Sequence, residues 1–460
     1  MFETIKNCFK NKDIRRKIWI TLLLLLVFRL GCYIPVPGID VETFGEAIKG
    51  QSFLNIMAAL SGGSLSNATL FALGISPYIN ASIIVQLLSV GIPALERLSK
   101  QGEEGRKRIA QITRILTIVL AIAQAIGIIV NFGLRGSGDD IAIKLTFFGS
   151  NSAIGETGAK WLAGIFLTVV YTAGSMLVMW LGERITEYGI SNGISLIIFI
   201  GILSTAGNQI VAKFLQAFGV GEFAGAAQPS VLWEVLGFVI LTVIEFAAIS
   251  AVDLSERRIP VQYAKQVKGR RMYGGQSSVI PMRISGSGVM PLIFAFAIIS
   301  VPAMLASLFA SGSTFEKGVA EWFSGTGTWY GQLIYMVVLC VLIFLFSFFY
   351  ASMQFNPDDV SKTIQQNGGF IQGIRPGKPT SDYLKKINNR ITLFGAIYLT
   401  IVALIPSILA VILSAVGLST DLISVFSTTG ILIVVSCALE IDKQLQSQLM
   451  MKNYKKGFLK

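Results

Sequence analysis

The chain has 460 residues, 53 % of them apolar and only 14 % charged, with a net charge of +12 and a mean hydropathy of +0.66. Soluble domains carry about 25 % charged residues; a 49.8 kDa chain with so few cannot cover a water-facing surface, which excludes an ordinary soluble globule and points to an integral membrane protein. The absence of histidine excludes a Ser-His triad, His-ligated zinc and an imidazole proton relay. Cys8, Cys32, Cys340 and Cys437 stand apart with no CxxC, fitting neither a disulfide framework nor a zinc knuckle.

A bilayer core takes about 20 apolar residues per helix, and uncharged stretches of that order predict ten spans. The first is Ile18–Tyr33, broken once by Arg29. Its basic flank mimics a signal peptide, but IPVPG follows in place of a small-residue cleavage site, so the helix reads as retained. The uncharged run Gln51–Leu95 is too long for one span. Within it Leu70–Val90 reads as a helix. Phe53–Leu60, followed by SGGS at Ser61–Ser64, is too short to cross and reads as a half-inserted helix on the outer side. Irregular backbone at membrane depth needs protein or a water-filled cavity around it, so this segment implies a cavity; the alternative is an amphipathic helix lying on lipid. Then come Ile115–Leu134, Trp161–Gly182, Tyr188–Ala212, Val235–Val252 with Glu245 inside it, and stretches within Ile284–Thr314, Trp322–Pro357, Ile391–Thr420 and Leu422–Leu439.

With the N-terminus placed in the cytoplasm, 31 of the 38 Lys and Arg fall on the cytoplasmic side and six on the other, which sets the orientation. The expected layout is a cytoplasmic tail over 1–17, an N-terminal half over 18–212, an external connection over 213–230, a C-terminal half over 231–440 and a cytoplasmic tail over 441–460. Five spans per half is odd, so an internal repeat would be inverted. GISP (Gly74–Pro77) and GVMP (Gly288–Pro291) put Gly and Pro at matched places in the second helix of each half. Broken helices in equivalent positions point to a functional site where the halves meet, although Gly and Pro are common in membrane helices anyway.

Ion-coupled carriers need intramembrane charge, and the spans are nearly bare. Arg29 sits near the outer end of its helix and is expected to reach the interface. Glu245, about two turns from a cytoplasmic end, is the candidate for a rival reading as an ion-coupled small-solute transporter. A membrane scaffold that only anchors a partner is a third reading. A pore lined by aliphatic side chains, gated by dewetting, fits the bare spans better. Ile75/Ile79 and Ile194/Ile198 are pairs on one helix face, in a residue type common in any membrane helix. The basic loops 253–283 and 352–390 suit an acidic protein or the phosphates of a large RNA. GIRPGKP (Gly373–Pro379) lacks the spacing of a phosphate-binding loop, so no nucleotide site, cofactor or catalytic residue is expected.

The strings FRLGCYIPVPGID (Phe28–Asp40), SGGSLSNATLFALGISPYINASIIVQLL (Ser61–Leu88), EYGISNGISLIIF (Glu187–Phe199), ERRIPVQYAKQVKGRRMYGGQSS (Glu256–Ser278), SGVMPLIFA (Ser287–Ala295) and GIRPGKPT (Gly373–Thr380) together resemble the bacterial branch of the SecY family of protein-conducting channels. The resemblance implies an all-α membrane protein with ten transmembrane helices in two inverted five-helix halves around a central hourglass pore, closed by a short plug helix. It implies a waist of six aliphatic residues, Ile75, Ile79, Ile194, Ile198, Ile293 and Ile433. The plug would lie at about 53–63, with Phe53, Leu54, Ile56, Met57 and Leu60. Asn80 and Gln124 match polar lateral-gate positions, where ordinary helix–helix hydrogen bonding is the plainer reading. Arg257, Arg258, Lys268, Arg270, Arg271, Arg375 and Lys378 would meet partners. The partners implied are the small membrane subunits SecE and SecG, the SecA motor ATPase, the ribosome, an unfolded preprotein and the lipid bilayer. The implied location is the cell membrane, with both termini cytoplasmic.

Overall fold

The structure is a computed structural model and describes residues 9, 11–37, 39, 41, 44–45, 58, 61–130, 156–218, 230–263, 266–268, 271–273, 277–284, 288, 290–309, 329–416 and 428–458. It divides into two compact units, one comprising 1–235, 299–335 and 437–460, the other 236–298 and 336–436.

In the first unit, α1 (Lys12–Gly31) buries Ile14, Thr21, Leu25, Phe28 and Gly31 along one stripe, while Leu22, Leu23, Leu26 and Leu30 are exposed. A helix apolar on its exposed face as well as its buried one is built for lipid. α2 (Ser76–Gly91) and α3 (Pro93–Lys100) form a bent pair, turned by 106°. Pro93 causes the break, because it supplies no N–H to α2 and forces Ile92 into extended backbone. α4 (Glu103–Ile129), α5 (Glu156–Tyr188) and α6 (Gly193–Phe218) follow. α2 packs on α4, α4 on α5, α5 on α6, and α1 on both α5 and α6. Small residues bring these helices close, as membrane packing requires. A Cβ on Gly174 of α5 would lie 1.9 Å from the Leu70 carbonyl oxygen, and one on Gly193 of α6 would lie 2.0 Å from that of Gly182.

The second span differs from expectation: its helix begins at Ser76, not Leu70. Residues 61–75 form turns instead. Gly62, Gly63, Ala68 and Gly74 all have positive φ, a region that a right-handed helix excludes. The segment satisfies its backbone elsewhere: Val36 N–H donates to Ala68 O at 3.1 Å, and Leu70 N–H to Ile34 O at 2.9 Å.

α7 (Ser230–Asp253), α8 (Met290–Phe309), α9 (Trp329–Gln354), α11 (Lys378–Val416) and α12 (Thr428–Phe458) lie wholly or partly in the second unit. The two long hydrophilic loops are not irregular. They fold as β1 (Glu256–Tyr263), β2 (Gln266–Lys268), β3 (Arg271–Tyr273), β4 (Ser277–Arg283), α10 (Pro357–Gln366) and β5 (Gly369–Phe370). The three-stranded sheet has the order β4-β1-β5, all antiparallel, with Ile259 opposite Ile280 and Gln262 opposite Phe370. Ile259 and Val261 are buried where Arg258 and Pro260 are exposed, the period of a one-faced sheet. That face closes on Ile364 of α10 and Leu384 of α11, with Met282 and Ile371. α10 starts cleanly because the Asn356 side chain accepts from Asp358 N–H, Pro357 takes the first helical position, and Asp358 and Asp359 meet the positive helix end.

Among the described residues α4, α5, α6, α7, α9 and α11 are each long and apolar enough to cross a bilayer, and the α2–α3 pair makes a seventh if counted as one span. The protein is a multi-pass, mainly helical membrane protein.

Candidate functional site

Ile75 is the residue before the first turn of α2 and is buried at 4 % exposure. Ile79, whose N–H donates to Ile75 O at 3.1 Å, is half-buried. Gly74 anchors the start of α2: its φ is +54°, and its carbonyl accepts from Ser175 Oγ of α5 at 3.2 Å. On α6, Ile194 is half-buried and rests on Gly182 of α5, where a Cβ would lie 3.3 Å from its Cγ1; Ile198, one turn on, is buried. In the second unit Ile293 of α8 is half-buried and Ile433 of α12 is buried.

The glycines of GISP and GVMP share a backbone conformation. Gly74 (φ +54°) and Gly288 (φ +60°) each stand two residues before a helix whose second residue is proline, Pro77 in α2 and Pro291 in α8. A glycine with positive φ breaks the preceding chain, and proline supplies a preset φ for the first turn.

The turn that leads into this region is enclosed by protein. Leu65 and Ala68 are fully buried, in a cluster with Ala121, Ala125 and Ile128 of α4 and Leu167 and Tyr171 of α5. Ser61 Oγ donates to Ala58 O at 3.1 Å and Ser64 Oγ to Ser61 O at 2.8 Å. The expected plug residues Phe53, Leu54, Ile56, Met57 and Leu60 lie outside the described residues.

Arg29, half-exposed, donates to Gly62 O at 3.2 Å, to Ser204 Oγ of α6, and to Tyr33 Oη at 3.4 Å. Its guanidinium also stacks over the Tyr33 ring, 5.1 Å from the centroid. The sequence signals only a charge within a span; the partners come from distant parts of the chain.

Asn80 on α2 is half-buried, and Gln124 on the adjoining α4 is buried at 4 %. The Oε1 atom of Gln124 has no hydrogen-bond donor among the described residues. Glu245 on α7 is buried.

The folded loops gather basic side chains. Arg257 and Arg258 are exposed on β1, and Arg375 and Lys378 are exposed around the turn that joins β5 to α11. Thr380 Oγ1 donates to Arg375 O at 2.8 Å, and Ser361 Oγ to Gly377 O at 2.7 Å, so this turn is braced from both helices. Lys268 and Arg271 face each other in the β2–β3 register, and Arg270 lies outside the described residues. A shallow groove beside Arg375 is lined by Gln365, Phe370, Ile371 and Ile374.

The chain as a whole is similar to known proteins. The family model SecY matches residues 69–441. The chain is 39 % identical over 467 aligned positions to the protein translocase subunit SecY of Streptomyces galbus, covering the whole of both chains. It is 38 % identical to that of Thermus thermophilus, covering 100 % of this chain and 98 % of the relative. Solved structures share its fold. One described as a protein-conducting channel gives a TM-score of 0.65 at 20 % identity, covering 94 % of this chain and 92 % of that one. One concerning the plug domain of SecY gives 0.62 at 19 % identity with the same coverage. Sec61 in a canine ribosome–channel complex gives 0.61 at 18 % identity, again with the same coverage.

Proposed function

The chain belongs to the SecY family, and from that premise we propose that it is the central channel subunit of a protein translocase, passing unfolded secretory polypeptides across the cell membrane and releasing apolar segments sideways into lipid. The observation that carries this beyond family membership is local. A buried, irregular segment at 61–75 runs directly into Ile75, and its Gly62 lies against Gly201 of α6, one turn beyond Ile198. The irregular segment therefore ends at the first isoleucine of one pair and lies about one helical turn from the last isoleucine of the other.

The chemistry follows from side chains that offer no hydrogen bonds. Ile75, Ile79, Ile194, Ile198, Ile293 and Ile433 form the waist in this reading. Isoleucine binds no particular sequence, repacks around threads of different width, and leaves an ion no partner for the hydration it would shed. The stretch at about 53–63 is the plug. Asn80 and Gln124 belong to the lateral gate, through which apolar segments leave by partitioning into the bilayer. Energy is supplied by partners. Arg257, Arg258, Arg375 and Lys378, with Lys268, Arg270 and Arg271, offer positive charge to rRNA phosphates or to an acidic motor surface. The ribosome, the SecA motor and the small subunits SecE and SecG are the partners of this reading, and both termini face the cytoplasm. The rival reading of Glu245 as an ion-coupling site finds no support in any of the relatives.

The test is reconstitution of the complete complex in proteoliposomes, with motor and ATP on the outside, followed by protease protection of a secretory precursor. Protected precursor that depends on the complex is expected; precursor that stays fully digestible would refute the assignment.

A further inference from the structure

Arg29 is a charge within a membrane helix, a costly placement that generally marks function. Its described partners are a backbone carbonyl, two hydroxyls, an aromatic ring and the Cys32 thiol. They also join three separate parts of the first unit. Arg29 belongs to α1, Gly62 to the irregular segment, and Ser204 to α6. One planar guanidinium satisfies them from two nitrogens: Nη1 takes Gly62 O, and Nη2 takes Ser204 Oγ and Tyr33 Oη. The fixed fork of arginine suits such a clamp where the single ammonium of lysine does not.

The turn is shaped for that grip. Gly62 has φ +71°, and a Cβ there would lie 2.7 Å from Arg29 Nη1 and 3.1 Å from the Gly201 Cα. Any other residue would be strained in backbone and would push the guanidinium or α6 away. A glycine on each side, 62 and 201, lets the turn lie against α6 backbone to backbone. On the irregular segment the guanidinium bonds a main-chain carbonyl, so the grip depends on the position of the turn and not on its side chains.

We propose that Arg29 is a positioning residue that latches the Ser61–Gly63 turn to α6, holding the channel in its sealed resting state until a passing chain draws the turn away. This rests on the channel reading above. Charged hydrogen bonds to neutral oxygens are strong enough to bias a two-state equilibrium yet weak enough to be exchanged for water when the turn moves.

The test uses the complete reconstituted complex and three readouts: ion leak with no substrate, export of a precursor with an intact or a damaged signal, and thermal unfolding. Arg29→Gln is expected to raise the idle leak roughly tenfold, as loss of a charged hydrogen bond implies, and to pass damaged signals more readily. Export of the intact precursor and the unfolding temperature should stay near wild type. Arg29→Lys should recover part of the seal. Ser204→Ala should move the leak the same way by less, and the double variant should leak no more than Arg29→Gln alone. Ser204→Ala alone carries the test should Arg29→Gln fail to assemble, and a wild-type seal in it would then overturn the latch. An Arg29→Gln complex that exports and seals like wild type would also overturn it. So would leak, export and stability deteriorating together with no recovery in Arg29→Lys, the mark of a merely structural residue. Wild-type complex that passes no precursor would overturn the channel reading and the latch with it.

Discussion

Asparagine placed at position 79 and at position 75 should have different consequences, though the residues stand one turn apart. Ile75 is buried at 4 % exposure. Asparagine there forfeits about 1.5–3 kcal/mol of side-chain burial and strands a buried amide at about 1–3 kcal/mol more. Against a typical net stability of about 5–15 kcal/mol, that sum threatens assembly. Ile79 is half-buried, so the burial forfeited is about half as large, near 1 kcal/mol, and its amide can reach water. In the waist that same amide gives water a partner worth about 1 kcal/mol, enough to ease hydration of the constriction roughly fivefold. Ion efflux from proteoliposomes, read beside thermal unfolding of the same complex, separates the two. Ile79→Asn should leak about fivefold more and unfold only a few degrees lower, whereas Ile75→Asn should lose yield and unfold much earlier. An Ile79→Asn complex as tight as wild type, or identical behaviour of the two variants, would refute the reasoning.

Two further perturbations test the gate and the basic surface. Gln124→Leu removes a buried amide whose Oε1 has no donor among the described residues, so it should raise the unfolding temperature by a few degrees, about 1 kcal/mol. If Gln124 lines the lateral gate, it should also slow insertion of weakly apolar signals; faster insertion would speak against that placement. Arg257→Glu with Arg375→Glu reverses two exposed charges without disturbing the Ile259–Leu384 core. Unfolding should not change, while ribosome or motor binding should weaken severalfold and lose part of its salt dependence; unchanged binding in low salt would remove these residues from the docking surface.

The spans were legible because a bilayer imposes one requirement on every crossing helix, a long uncharged run. Their ends were less so. Leu70–Gly74 is apolar enough to continue α2 backward, and only the backbone pairing of Leu70 with Ile34 and the left-handed Gly74 show that it does not. The bend at Pro93 was readable, since proline ends the preceding helix by its own chemistry. The sheet in the hydrophilic loops is readable too, in the alternation of Ile259 and Val261 with Arg258 and Pro260, although the charge density of those loops suits an irregular docking surface equally well. The matched Gly and Pro of GISP and GVMP are visible as letters; that both glycines take positive φ before a helix is a property of the folded backbone. Nothing local marks Ser204 or Gly62 as partners of Arg29, because that clamp joins positions 33 and 175 residues away in the chain.

The central claim is that the isoleucines at 75, 79, 194, 198, 293 and 433 touch the moving polypeptide. Photo-crosslinkers placed singly at Ile79, Ile198, Ile293 and Ile433, and at the exposed apolar residues Leu22, Ile115 and Val341 as lipid-facing controls, would be tested against a secretory chain stalled in transit. Adducts from the four isoleucine positions, and none from the controls, are what a narrow aliphatic waist requires. Adducts equally frequent from the controls, or absent from Ile293 and Ile433 while present at Ile79, would contradict a single ring drawn from both halves of the chain.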